Sequence, residues 1–321
     1  MNRKKVSIFG GTGFIGSLLS VALAKNGYRV TVFSRDPNVQ NDASCYSYVE
    51  FIDQCKLEDE ALIRHHMAGS DYVINLVGTL DNNRRRATKA HVTYPTKIYE
   101  IANDLGVKKM IHFSALGASK DAPGIFLSTK GEGEAALIDL AKNHTTELAV
   151  IAPSLVVGYE DRFTYHIARW VRTMPILFLP MAKAEVQPVF VNDILDAVLQ
   201  ILANDYEQTR FELAGKERYT LKEIAQKVAK EITPKKRTII GFPNSFASFI
   251  ALFIGFMSRF PYSRNLIKTS AIPSVTKRDD FAVLGLTPAS YESVRQFEMP
   301  TTVLDKYYYD RLNARRSTKL S

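Results

Sequence analysis

The chain has only two cysteines, Cys45 and Cys55, among its 321 residues. That is too few for a disulfide framework or a zinc signature, and it makes a reducing compartment the expected setting. Histidine is sparse as well. His65 and His66 stand side by side with no third ligand at metal-binding spacing, so no metal site is expected. Long apolar runs are missing too. The longest, Phe246 to Met257, stops well short of the ~20 residues that a membrane-crossing helix needs. No leader-like stretch precedes the first apolar segment, since Met1-Asn2-Arg3-Lys4-Lys5 passes straight into it. Neither a signal nor a transit peptide is expected, and the reading is a cytoplasmic protein, at most peripheral on the inner face of a membrane. The sequence also lacks internal repeats, low-complexity tracts, a P-loop and any serine-protease arrangement.

Positive charge is in excess: 42 Lys and Arg against 33 Asp and Glu, a net charge of +9, with a pI near 9.3. This favours anionic partners, whether a dinucleotide, an acidic membrane surface or an acidic protein. No nucleic-acid recognition motif accompanies the charge, and nucleic acid is not expected. In the 246–257 run, Phe246, Phe249, Phe253 and Phe256 fall on the apolar side, with Arg259, Arg264 and Lys268 following. That pattern suits peripheral contact with a membrane or a hydrophobic partner, and equally an ordinary core or subunit-contact helix. The polar, basic end from Tyr307 to Ser321 reads as a solvated or partner-contacting tail.

The most informative segment is Val6-Ser7-Ile8-Phe9-Gly10-Gly11-Thr12-Gly13-Phe14-Ile15-Gly16. An apolar run ends in glycines, and Ile15, Leu18, Leu19, Ala22 and Leu23 then recur at helical spacing. Strand, tight turn and helix follow in order. Gly10 permits the turn, Gly13 lets a pyrophosphate approach the backbone, and Gly16 lets the helix pack close to the strand. The phosphates of a dinucleotide would sit on the unpaired N–H groups at the helix start.

Beyond it, strands at Val30–Phe33, Tyr48–Ile52, Tyr72–Val77, Met110–Ser114 and Leu148–Ile151 alternate with helices at Leu57–Met67, Thr93–Leu105 and Lys130–Lys142. Such alternation predicts an α/β fold with a parallel sheet covered on both faces. The second half is less regular. Gln187–Val191 reads as a strand entering a helix, Asp193 as that helix's cap, and Phe211–Ala214 as a short strand. Thr220 with Glu223 forms a capping box. The expected division is a Rossmann-type, doubly wound domain over 1–155 and a smaller C-terminal α/β region over 156–321, serving as a substrate-like or docking region.

Several segments in order resemble the atypical or extended short-chain dehydrogenase/reductase superfamily. They are the Gly10–Gly16 loop, Asn75-Leu76-Val77-Gly78, His112-Phe113-Ser114-Ala115, Ser128-Thr129-Lys130-Gly131-Glu132, Ala152–Gly158 and Gln187–Asp193. Within it the chain looks most like the branch of complex I alpha-subcomplex subunit 9 and coenzyme Q assembly proteins. UDP-sugar epimerases and isoflavone-type reductases share much of the pattern. The resemblance implies cofactor contacts from Gly10, Thr12, Gly13, Phe14, Ile15, Gly16, Ser34, Arg35, Asp53, Val77, Gly78, Ser114 and Lys130. It also implies a Tyr four residues before the Lys, which exchanges a proton with substrate, and a Ser that polarises the substrate carbonyl. Lys130 and Ser114 fill the Lys and Ser places, but the Tyr place falls on Phe126, which has no ionisable proton. Tyr159 and His112 are the substitutes to consider. His91 reads as a packing group, and Arg84-Arg85-Arg86 as an exposed charge run.

Ser34 and Arg35 end the second strand, where an acid would select NAD. A hydroxyl and a guanidinium favour the 2′-phosphate of NADP(H); Asp36, one residue on, keeps NAD(H) as the alternative. Two functions remain. One is a weakly catalytic or non-catalytic NADP(H)-binding protein of the respiratory-complex or quinone-linked branch. The other is an active reductase or sugar-nucleotide epimerase/dehydratase.

Overall fold

Apolar runs alternate with amphipathic ones through the first half, and each becomes a strand or a helix. The computed structural model describes residues 3–35, 42–158, 161–233, 236–242 and 272–293. The chain begins with β1 (Lys5–Phe9), α1 (Phe14–Lys25), β2 (Arg29–Phe33), β3 (Val49–Ile52), α2 (Glu60–Met67) and β4 (Tyr72–Asn75). It continues through α3 (Arg84–Thr88), a π turn (Lys89–Thr93), α4 (Tyr94–Asp104), β5 (Lys109–Phe113), α5 (Ile125–Ala141) and β6 (Glu147–Pro153). The second half holds β7 (Val156–Val157), α6 (Arg162–Thr173), β8 (Ile176–Pro180), β9 (Glu185–Val186), β10 (Val189–Phe190) and α7 (Val191–Ala203). It ends with β11 (Arg210–Leu213), β12 (Tyr219–Thr220), α8 (Leu221–Ile232), β13 (Thr238–Phe242) and the short α9 (Asp280–Val283).

Seven strands form one parallel sheet in the order β11-β6-β5-β4-β1-β2-β3. Its central strands are buried along their length because helices cover both faces, which is why they read as continuous apolar runs. One face packs Leu19 and Leu23 of α1 and Ile194 and Val198 of α7 on Ile8 and Ile111. The other packs Ile63, Ile98 and Leu137 on Val73 and Met110. The expected Rossmann-type α/β fold is therefore present. The chain leaves this sheet after β6 but returns for β11, so residue 155 is not where the sheet is complete. A third core lies between α6, α8 and β8, whose parallel partner is β13.

Several boundaries differ from expectation for local reasons. β4 stops at Asn75 because the Asn75 side chain accepts the Val77 N–H at 3.1 Å. α2 starts at Glu60, where the Asp59 carboxylate caps it through the Leu62 N–H. α5 starts five residues before Lys130, so Phe126, Ser128 and Thr129 are helical. The arginine run is exposed as read, and it opens α3, with Asn83 accepting the Arg86 N–H. Asp193 does not cap α7: its carboxylate accepts the Ala289 N–H at 3.0 Å, and the N-cap position is Phe190. The single strand expected over Gln187–Val191 is the short β10, ended by the start of α7. The Thr220–Glu223 capping box forms as read. Among the described residues no helix is long and apolar enough to cross a membrane. The 246–257 run, the 307–321 tail, Asp36 and Tyr159 lie outside the described residues.

Candidate functional site

In a sheet of this order, the crevice for a ligand opens at the carboxyl ends of β1 and β4, where the winding reverses. Gly10 leaves β1 with φ +82°, and a Cβ there would come within 2.9 Å of the Leu76 carbonyl carbon. At Gly16 a Cβ would lie 2.5 Å from the Gly10 oxygen, so α1 packs directly on the turn. Gly13 is different. A Cβ there would meet only the Gly10 oxygen, at 3.4 Å, and the residue is exposed. The protein's own packing does not demand glycine at 13, and the space lies on the open side of the loop. Gly13 is also the N-cap of α1, with no side-chain cap and no acid in the first turn. These uncapped N–H groups and the helix dipole fit an anionic pyrophosphate. Thr12, Phe14 and Ile15 are half-buried around the loop. Phe14 reaches Gly158, whose added Cβ would lie 3.4 Å from the Phe14 ring and 2.7 Å from Val191. The first glycine loop, the end of β7 and the start of α7 thus meet.

Ser34 is buried at the end of β2, its N–H bonded to Ile52 and its carbonyl to Cys55, whereas Arg35 is exposed. Asp53 is exposed in the turn after β3.

Across the crevice, Lys130 enters from α5. Its ammonium donates to the Phe113 carbonyl at 2.6 Å and the Val77 carbonyl at 3.4 Å, and a Cβ on exposed Gly78 would be 3.5 Å from it. Burial pushes the Lys130 ammonium down to about 8, partly opposed by the Glu134 charge. Ser114, at the end of β5, donates its hydroxyl proton to Glu134 at 2.6 Å. Arg210 of β11 holds the other Glu134 oxygen at 2.6 Å and also pairs with Glu212. The serine proton is thus turned toward a paired carboxylate. Phe126 sets its half-buried ring edge-on to His91, with centroids 5.6 Å apart.

His91 is fully buried. Nε2 accepts the Thr79 N–H at 3.0 Å, and Nδ1 faces the Thr129 hydroxyl at 2.7 Å. The Thr129 proton goes to the Ile125 carbonyl, so Nδ1 is the donor and the ring is neutral. Burial, then Lys130, hold its pKa down to about 3. His112 is also buried, paired through Nδ1 with the Asn75 amide at 3.0 Å, and burial holds it neutral. Its Nε2 has no hydrogen-bond partner among the described residues.

The structure brings the sequence-read Ser114 and Lys130 together and adds Glu134 and Arg210, which the sequence reading did not include. Glu134 was findable: it stands one helical turn after Lys130 and shares its face. Arg210 was not, because its partner is set by strand order. Phe126, in the place read for the proton donor, brings no ionisable group to Lys130 and Ser114. The groups set against them are the Glu134 carboxylate on Ser114 and the Phe113 and Val77 carbonyls on Lys130.

Comparison with known proteins agrees with this geometry. A Dictyostelium discoideum protein named NADH dehydrogenase [ubiquinone] 1 alpha subcomplex subunit 9, mitochondrial, is 27% identical over 82% of this chain and 73% of its own length. The mouse protein of that name is 28% identical over 74% of this chain, a stretch that spans 63% of the mouse protein. Among solved structures, the Thermotoga maritima UDP-glucose 4-epimerase superposes with a TM-score of 0.72 at 19% identity, over 96% of this chain and 99% of that one. A tyrosine-to-phenylalanine variant of the Bacillus cereus UDP-glucuronic acid 4-epimerase, solved with a fluorinated sugar nucleotide and NAD, superposes at 0.64 and 16% identity, over 83% of this chain and 98% of that one. Residues 6–214, which run from β1 through β11 and carry both sides of the crevice, match the NAD dependent epimerase/dehydratase family, and the chain belongs to it.

Proposed function

We propose that the protein holds a nicotinamide dinucleotide, NADP(H) by preference, in a site with little or no turnover, and serves a structural or assembly role linked to respiratory complex I or quinone metabolism. The observation that carries this reading is the pairing of an open, uncapped α1 terminus with Phe126 in the place of the proton donor. When bound, the cofactor would supply hydride chemistry. The α1 amides would hold its pyrophosphate, and Lys130 its nicotinamide ribose. Ser114, with its proton on Glu134, would offer lone pairs instead of polarising a carbonyl. The Bacillus cereus structure supports the separation of binding from chemistry, since a tyrosine-to-phenylalanine variant of that protein was solved with NAD. The relatives named as subunits of NADH dehydrogenase support the respiratory setting. Ser34 and Arg35 support a 2′-phosphate; NAD(H) is the alternative and matches the family's name.

A second reading, an active reductase or sugar-nucleotide epimerase, draws on the retained Ser114 and on Lys130, whose lowered pKa suits proton exchange near neutrality. Cofactor content of the purified protein separates neither reading alone. Content followed by transfer from bound NADPH to quinones, ketones and nucleotide sugars does: cofactor without transfer supports the first, rapid transfer the second.

A further inference from the structure

The parallel pair β8–β13 is apolar on both faces. Inward, Leu177, Leu179 and Ile239 are buried against α6 and α8. Outward, Phe178 is 60% exposed, Ile176 43% and Ile240 41%, with Met174 just before β8 at 45%. Phe178 and Ile240 are register partners, so these side chains form one patch and not scattered singles. Scattered surface hydrophobics need no explanation, but a contiguous set does.

Charge decides what covers it. Residues 161–321 hold 24 basic and 16 acidic side chains, while the first 160 hold 18 and 17. Almost the whole positive excess therefore belongs to the half that carries the patch. Exposed Lys236 stands two residues before β13, and exposed Lys183 three residues after β8. From Thr238 to Ser258 the sequence has no charged residue at all. An apolar face rimmed with basic groups complements a surface that is anionic at its polar level and apolar beneath.

We infer that the outer face of β8–β13 docks the protein on an anionic lipid surface. Apolar side chains enter the interface while the basic rim meets headgroup phosphates. The inference is independent of the proposed cofactor site, which lies at the strand ends of the seven-stranded sheet.

The test is flotation of the full chain with vesicles of phosphatidylcholine alone or mixed with phosphatidylglycerol. Wild type should float with the mixed vesicles, release as salt is raised, and float poorly with phosphatidylcholine. Phe178→Ser combined with Ile240→Ser should lower the bound fraction at least ~tenfold. Lys183→Glu combined with Lys236→Glu, which leaves the apolar face intact, should lower it on the mixed vesicles. All four positions are exposed, so nucleotide titration and Tm should stay unchanged in both variants. Wild type that fails to float, or an apolar-face variant that floats as well as wild type, would overturn the inference. So would a dimer, seen by light scattering, that the apolar-face variant dissolves while vesicles have no effect, because the occupant would then be a second copy.

Discussion

Gly13 and Gly16 are one turn apart in the same loop, yet they answer to different constraints. Valine at 16 would drive a Cβ into the Gly10 and Gly11 backbone, so Gly16→Val should lower Tm sharply and lose nucleotide binding with it. Valine at 13 would enter open space. Gly13→Val should keep Tm close to wild type while abolishing nucleotide fluorescence titration; undiminished titration would displace the pyrophosphate from this loop. Lys130 gives a second residue-scale expectation. Its pKa falls from 10.5 to about 8 on folding, chiefly through burial. Between those values the unfolded chain keeps a proton that the folded chain has released, so stability rises with pH across that window. Lys130→Met should lack this rise and should bind cofactor more weakly. Parallel melting curves for wild type and variant from pH 7.5 to 10.5 would contradict the assignment. Arg35→Ala removes one charge-assisted contact, on the order of 1.5–3 kcal/mol, and should narrow a preference for NADP(H) about tenfold to a hundredfold. Equal binding of NAD(H) and NADP(H) by wild type would shift attention to Asp36.

At the scale of elements, local chemistry was legible and non-local pairing was not. The capping box at α8 can be read from Thr220 and Glu223 alone, because both partners lie within one turn. Thr220→Ala should cost about 1 kcal/mol by denaturant melting, and no loss would mean that the box contributes nothing. The start of α5 was hidden for the opposite reason. Its N-cap is Gly124 at φ +86° with no side-chain cap, so no Ser, Thr, Asp or Asn marks it. The displaced start left Phe126, Ser128 and Thr129 outside the expected helix, whereas Lys130 and Glu134 fell inside it. β8 was passed over because Ile176-Leu177-Phe178-Leu179 is apolar on both faces and lacks the alternation that marks a half-buried strand. β11 was recognised as a strand, but periodicity says nothing of its partner β6, some sixty residues earlier.

For the whole molecule, that long-range pairing decides what can fold alone. A fragment of residues 1–155 would lack β11 and α7 and expose the β6 edge. It is expected to aggregate or to give a non-cooperative melt; a soluble fragment with a sharp transition would make 155 a true domain boundary. In the proposed function, this fold keeps a cofactor cradle without a proton relay. The most direct measurement is single-turnover oxidation of bound NADPH in the wild type, against a panel of quinones, ketones and nucleotide sugars. The account predicts tight binding with oxidation far below ~1 s⁻¹, the lower end of ordinary enzyme turnover. Oxidation at or above that rate would contradict it, and would require a proton donor beginning with Tyr159 or His112.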